Sequence, residues 1–304
     1  MRDVPAVRVV TDSTACLPRP DDLTVGDVLT SPDAAPTVVP LHVHLGDDER
    51  REGVEVTPED VAERIAEGER LTTSQPTTEE LVAAYREVAA RGARAVVSVH
   101  LSGKLSGTVE AADRAGQRAM LPVRVVDSGT AAMALGFAAV EAARCAAAGC
   151  DADHVARRAQ EVAGSARAVF LVDSLEHLRR GGRLSAPAAA LGTALGVRPI
   201  LGVRDGTVDL VQRVRTRKAS VARLVALAVE RAERATRPAV AVHHLGAPER
   251  AAEVAETLTG RLGVHPVVTP VSAVLGAHVG PGALAVVVAD RGGHVHDLEP
   301  GGPW

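Results

Sequence analysis

Aromatic side chains are nearly missing from this chain, which has one Trp, one Tyr and two Phe among 304 residues. A surface on which successive bases stack needs several aromatics, and a cation cage needs a box of them, so both are excluded. The core must be built from Ala, Val and Leu. Positive charge is not in excess either: 34 Lys and Arg against 38 Asp and Glu leave a net charge of −4. No basic field attracts nucleic acid. Cysteine is sparse, and Cys16, Cys145 and Cys150 form no C-x-x-C pair. Their odd number argues against a disulfide framework and predicts three reduced thiols in a cytoplasmic protein. No apolar run approaches the ~20 residues that span a bilayer. The stretch Ala131–Ala148 is broken by Gly136, Glu141 and Arg144 and reads as a buried helix. Met1–Ala6 carries charge and proline without the apolar run of a signal peptide. No stable membrane insertion is expected.

What is present is the composition of a globular protein, 46% apolar and 24% charged. Strand and helix patterns alternate through the first half: a β-branched strand at Val7–Val10, a strand at Val38–Leu45, a helix after Thr57-Pro58-Glu59-Asp60, and a second helix after Thr77-Thr78-Glu79-Glu80. Strand 95–101, a helix after Thr108, strand 123–126 and a helix from Thr130 to Ala148 follow. Such alternation predicts a parallel sheet covered on both faces. Asp-Gly at 205–206 between two apolar runs predicts a hairpin. A helix over 220–235, strand 238–243, helix 248–262 and strands 266–269 and 283–289 complete the chain. The expected organisation is an α/β/α N-terminal domain over 1–164, an α+β C-terminal domain over 165–290 and a disordered tail over 291–304.

Three segments carry chemistry. Val96–Leu101 is an apolar strand running into Ser102-Gly103-Lys104-Leu105-Ser106-Gly107-Thr108, where hydroxyls, backbone N–H groups and a helix N-terminus gather at one point. Thr72-Thr73-Ser74-Gln75-Pro76-Thr77 reads as a loop with three adjacent hydroxyls, an amide and a proline ahead of a capped helix. Gly181-Gly182-Arg183 turns the backbone and delivers an arginine at a fixed place. His278, set between Gly276 and Gly280, has a backbone free to approach a ligand. Asp12-Ser13, Asp127-Ser128 and Asp173-Ser174 each end an apolar strand and predict a polar rim around one crevice. His42 and His44, His243-His244, and His294 and His296 lack a third ligand at metal-binding spacing and read as surface or half-buried imidazoles.

Together, Asp12-Ser13-Thr14, Thr73-Ser74-Gln75-Pro76, Leu101–Thr108, Val126-Asp127-Ser128, Gly181-Gly182-Arg183, Arg215-Thr216-Arg217-Lys218 and His278–Gly282 resemble the DegV family of fatty-acid-binding proteins. The resemblance implies a two-domain carrier that holds one long-chain fatty acid in a tunnel between the domains and presents its carboxylate to a separate fatty-acid kinase, with no catalysis, metal or cofactor of its own. It maps carboxylate binding to Thr73, Ser74, Ser102, Gly103, Ser106 and His278. Arg183 and Arg215 fall on arginines implied in kinase docking or the phosphate step. Gly103 stands where the family usually has a second carboxylate-binding serine, so Ser102, Ser106, Ser74 or the Gly103 N–H is expected to take over.

Two enzyme readings compete, and a non-lipid interaction module is the third alternative, favoured if the purified protein carries no lipid and binds none. Ser102 or Ser106 with His278 and a rim Asp could form a hydrolytic triad, although no G-x-S-x-G elbow is present. Gly103-Lys104 sits in a glycine-rich turn, but Leu105 follows the lysine where a P-loop requires Ser or Thr.

Overall fold

The computed structural model describes residues 6–18, 35–189 and 198–292. The tail beyond Gly292, with His294 and His296, and most of the Leu29–Thr37 loop lie outside these residues. The first parallel sheet has the order β2-β1-β6-β7, from β1 (Val7–Asp12), β2 (Thr37–Val39), β6 (Ala95–His100) and β7 (Val123–Asp127). Side chains alternate across it with period 2. Val7, Val9, Val97 and Val99 face α4 (Met133–Ala147) and α5 (Ala152–Ser165), while Val10 and Val96 face α2 (Thr78–Ala90) and α3 (Thr108–Gln117). The expected layering of helices on both faces is therefore what forms.

A small antiparallel sheet, β4-β3-β5, comes from β3 (His42–Leu45), β4 (Asp48–Arg51) and β5 (Leu71–Ser74). The expected single strand 38–45 is thus split at Pro40-Leu41 between two sheets. The hydroxyl segment 72–74, expected as loop, is the edge strand β5. Helix α1 (Pro58–Ala66) starts on a reciprocal Thr57/Asp60 capping box with Pro58 in its first turn.

The second half builds a mixed sheet, β10-β9-β8-β13-β11-β12. Its strands are β8 (Arg167–Leu171), β9 (Arg198–Arg204), β10 (Thr207–Val214), β11 (Pro238–His244), β12 (Val267–Pro270) and β13 (Leu284–Asp290). β9 and β10 form the hairpin that Asp205-Gly206 predicts, with φ of 47° and 80° at those two residues. Helices α8 (Arg217–Ala232) and α9 (Pro248–Leu262) cover one face through Leu224, Leu227, Val254 and Leu258. The other face meets α4. Helices α6 (Glu176–Arg180) and α7 (Ala186–Ala189) follow β8, and α10 (Ala273–Val279) packs back against α1, β3 and β5.

Helix α4 explains how an aromatic-poor chain makes one continuous interior. Met133, Phe137 and Val140 pack toward the six-stranded sheet, and Leu135, Ala139 and Ala142 toward the parallel sheet. Buried on nearly every side despite Glu141 and Arg144, it carries no strong amphipathic stripe. Its alanines let both sheets approach closely.

The cysteine reading needs correction. Cys145 and Cys150 form a disulfide with Cα atoms 5.5 Å apart. After α4 the chain turns at Gly149 (φ 91°), and the Cys150 N–H donates to the Cys145 carbonyl at 3.1 Å. That helix-ending 6→1 bond brings positions i and i+5 together, a proximity that thiol counting cannot register. Cys16 is free and buried, and burial pushes its thiol pKa up. The argument from thiol count to a reducing compartment loses two of its three residues.

Candidate functional site

An apolar cavity with about 1000 Å³ of space, its mouth included, lies between the inner face of the six-stranded sheet and a facing wall of β5, loops of the first half, α6 and α10. Phe170 sits opposite Ala285 and Ala168 opposite Val287 in the β8–β13 register, so these four side chains share one face. Val203 and Val208 of the hairpin extend that wall, and Leu101, Leu105, Ala132 and Leu275 form the facing one. Alanine where larger residues would interdigitate leaves the volume open.

Polar groups also line this cavity: Thr73, Ser74, Gln75, Ser106, Arg183 and His278. Edge strand β5 presents Thr73, whose Oγ1 lies 2.8 Å from Nε2 of His278 in the last turn of α10. The ring fits because residue 181 is glycine; a Cβ there would stand 2.5 Å from His278 Nδ1. Burial, and then the Arg183 cation, lower the His278 pKa to about 4. The imidazole is therefore neutral at neutral pH. Arg183 is half-buried; its Nε donates to the Leu105 carbonyl at 3.2 Å and its Nη1 to the Gly181 carbonyl. Ser74 Oγ is 3.0 Å from His44 Nε2, and Ser106 Oγ is 2.9 Å from Thr108 Oγ1.

Of the eight residues singled out from sequence, five line the cavity: Thr73, Ser74, Ser106, Arg183 and His278. Three do not. Ser102 is fully buried and donates its hydroxyl to the Gly206 carbonyl at 2.8 Å, while Lys104 Nζ donates to the Asp205 carbonyl at 2.8 Å. The β6–α3 loop thus grips the tip of the β9–β10 hairpin. Gly103 is exposed, and its N–H is already given to Asp127 Oδ2 at 3.1 Å. Arg215 is exposed just beyond β10.

The expected rim of Asp-Ser strand ends is not a rim of this cavity. Asp12 is fully buried and accepts from the Leu101 N–H, Thr14 and His100 Nδ1. Asp127 accepts from Gly103 and Gly129, and Asp173, in the other sheet, pairs with Arg198 and Arg217. Asp12 and Asp127 satisfy backbone N–H groups beyond their strand ends, whereas Asp173 holds arginine side chains, so the Asp-Ser pair recurs without a shared ligand.

Sequence reasoning also missed His243, which is buried in the cavity wall and not at the surface. Its Nε2 accepts from the Met133 N–H at 3.2 Å, so Nδ1 carries the proton and donates to Thr269 Oγ1 at 3.0 Å. The imidazole thereby caps α4, whose N-cap residue Ala132 offers no side-chain acceptor. Its place at the end of a fully apolar strand was the available signal. His42 is likewise buried, within 3.1 Å of Glu49 and 3.0 Å of Glu80. Among the described residues no group of three or more His, Cys, Asp or Glu could hold a metal ion, and no helix is long and apolar enough to cross a membrane.

An internal apolar cavity with hydroxyls, a neutral imidazole and a guanidinium in its wall is the architecture of a small-molecule-binding α/β protein. The chain belongs to the DegV family, whose family description, "Uncharacterised protein, DegV family", matches residues 6–291. It is 43% identical to a DegV domain-containing protein of Streptomyces coelicolor over 289 residues, covering 94% of this chain and 99% of that one. It is 33% identical to Protein DegV of Bacillus subtilis over 287 residues, covering 92% and 98%. Among solved structures it is similar to a fatty-acid-binding DegV family protein from Thermus thermophilus, with a TM-score of 0.83, 32% identity and coverage of 93% and 99%. It is also similar to DegV, a fatty acid binding protein from Bacillus subtilis, with a TM-score of 0.81, 33% identity and the same coverage.

Proposed function

We propose that this chain binds one long-chain fatty acid in the cavity, with its carboxylate at Thr73, Ser106, Arg183 and His278, and presents that carboxylate to a separate fatty-acid kinase. The observation that carries the reading is the pairing of an apolar cavity with a polar group in its wall that includes a cation. Two structural relatives above 30% identity bind fatty acids, which supports the same ligand here.

The energetics follow from the two ends. At ~0.8 kcal/mol per buried methylene, a tail of about 15 supplies roughly 12 kcal/mol before ordering costs. The head group needs only orientation and compensation for lost hydration. In the Nε2–H tautomer, His278 donates to Thr73 Oγ1 and leaves the Thr73 O–H free to donate to a carboxylate oxygen. Arg183, which the resemblance assigns to kinase docking or the phosphate step, lines the cavity, and there, held by two backbone carbonyls, it supplies a fixed positive charge. Nothing in this set breaks a bond, so phosphorylation falls to the partner.

The hydrolase alternative loses its geometry. His278 Nε2 is paired with Thr73 and not with Ser102 or Ser106. A triad-like chain does exist: Ser98 Oγ is 2.8 Å from His100 Nε2, and His100 Nδ1 is 3.0 Å from Asp12. All three residues are completely buried, and Tyr85 donates its hydroxyl to Ser98. Sealed from substrate, that chain holds the end of β6 in register.

The test is mass spectrometry of lipid extracted from the purified native protein, followed by incubation with the kinase and ATP. A predominant C14–C18 acid, converted to acyl phosphate, is expected. A protein that carries no lipid and takes up none sinks the binding reading. Bound acid that is never phosphorylated sinks the presentation reading alone.

A further inference from the structure

On the face of the six-stranded sheet away from the cavity, α8 and α9 leave an open groove between them. Its lining holds four cations, Arg217, Lys218, Arg250 and Arg261, against one carboxylate, Glu253. That balance runs against the net charge of −4 carried by the whole chain. Val225 and Val254 are buried in the floor, with Val221 half-buried beside them.

The charge is concentrated at one end. Arg217 and Lys218 open α8, and Arg250 lies in the first turn of α9. Arg217 and Arg250 also line a second depression together with Asp173 and Arg198, so the N-termini of the two helices meet there. Helices of 16 and 15 residues bring their positive dipole ends to the same place. Asp173 offsets Arg217 from the side at 3.4 Å. From Arg250 to Arg261 the groove runs eleven residues along α9, about 16 Å at ~1.5 Å per residue, or three helical turns.

We infer that this groove docks an acidic amphipathic helix of the kinase subunit, its apolar stripe on the valine floor and its carboxylates toward the four cations. The assignment rests on the presentation reading above. A concave groove with an apolar floor fits a helix, whereas an anionic membrane is flat and would touch only the crests. It also separates tasks: the cavity arginine, Arg183, faces the ligand, and the partner is held on the outer face. Charged contacts of this kind set encounter rate and salt dependence.

The experiment compares the full-length, lipid-loaded protein with the double variant Lys218→Glu/Arg261→Glu as substrate for the kinase. The expected result is a KM at least tenfold higher with kcat unchanged, a flatter dependence of KM on salt, and the same amount of bound fatty acid. The charge-keeping pair Lys218→Arg/Arg261→Lys should restore KM. An unchanged KM in the reversed variant, while the wild type is phosphorylated, overturns the groove assignment alone. Vesicles of phosphatidylglycerol form the second arm: vesicle binding lost in the variant with KM unchanged would give the groove to membrane and overturn the inference. If the wild type yields no acyl phosphate, the presentation reading fails and the groove assignment with it.

Discussion

Thr73 Oγ1 and His278 Nε2 meet at 2.8 Å although 205 positions separate them in the chain. The contact joins an edge strand of the small sheet to the last turn of α10. It sets which way the Thr73 hydroxyl proton points. Thr73→Ala should therefore weaken fatty-acid binding while leaving the fold intact. A hydrogen bond to a charged acceptor is worth about 1.5–3 kcal/mol, which is roughly ten- to a hundredfold in affinity. Thr73→Ser should recover most of it. Displacement of a fluorescent fatty acid measures both, and wild-type affinity in the alanine variant would remove Thr73 from the site.

The two serines of the β6–α3 loop should separate by task. Ser106 lines the cavity, so Ser106→Ala should lower affinity. Ser102 is committed to Gly206, so Ser102→Ala should change affinity little and loosen the hairpin. Loss of that bond costs on the order of 1 kcal/mol, read as faster hydrogen exchange across β9–β10. Gly206→Ala should act more strongly in the same direction, because its Cβ would stand 2.6 Å from Ser102 Oγ at a φ of 80°. Equal ligand loss in both serine variants would contradict the division.

Most of the fold can be read from the chain because capping and periodicity are local. Thr57, Thr77 and Thr216 each begin a helix on a side-chain cap, and helix 248–262 is found at its expected bounds. What could not be read depends on partners distant in sequence. Residues 72–74 look like loop because among the described residues they pair with one strand alone, β3. Gly103 looks like a missing ligand until Asp127 is seen to hold its N–H. His243 looks like an exposed imidazole until α4 is seen to need a cap. Proximity of Thr73, Ser106 and His278 followed from the family resemblance; the role of Ser102 as a grip on the hairpin did not.

Acid should destabilise the protein through its buried histidines. Burial, first of all, holds His278 and His243 down to about 4. Both are neutral when folded and protonate near 6.5 when unfolded, so between about pH 6.5 and 4 the unfolded state binds more protons. Stability is then complete above pH 6.5 and falls as pH drops toward 4. A shift of this size corresponds to about 3 kcal/mol per histidine. Glu52, buried and shifted up, works in the opposite sense, so the variant comparison is the informative one. Urea unfolding of delipidated protein should show a shallower loss for His278→Asn than for wild type over this range. Parallel curves would mean that His278 is already solvated.

Filling the cavity tests where the tail lies. Ala168 is on the cavity face of β8, opposite Val287, and its small side chain leaves part of the volume open. Ala168→Phe should occupy space that the distal methylenes of a long acid need. At ~0.8 kcal/mol per methylene, denying four of them room would cost about 3 kcal/mol, and the profile of extracted acids should move to shorter chains. Thr73, Ser106 and His278 are untouched by this change, so acids short enough to fit should bind with near wild-type affinity. That split sets it apart from Thr73→Ala, which should weaken acids of every length alike. An unchanged chain-length profile in Ala168→Phe would place the tail elsewhere in the cavity.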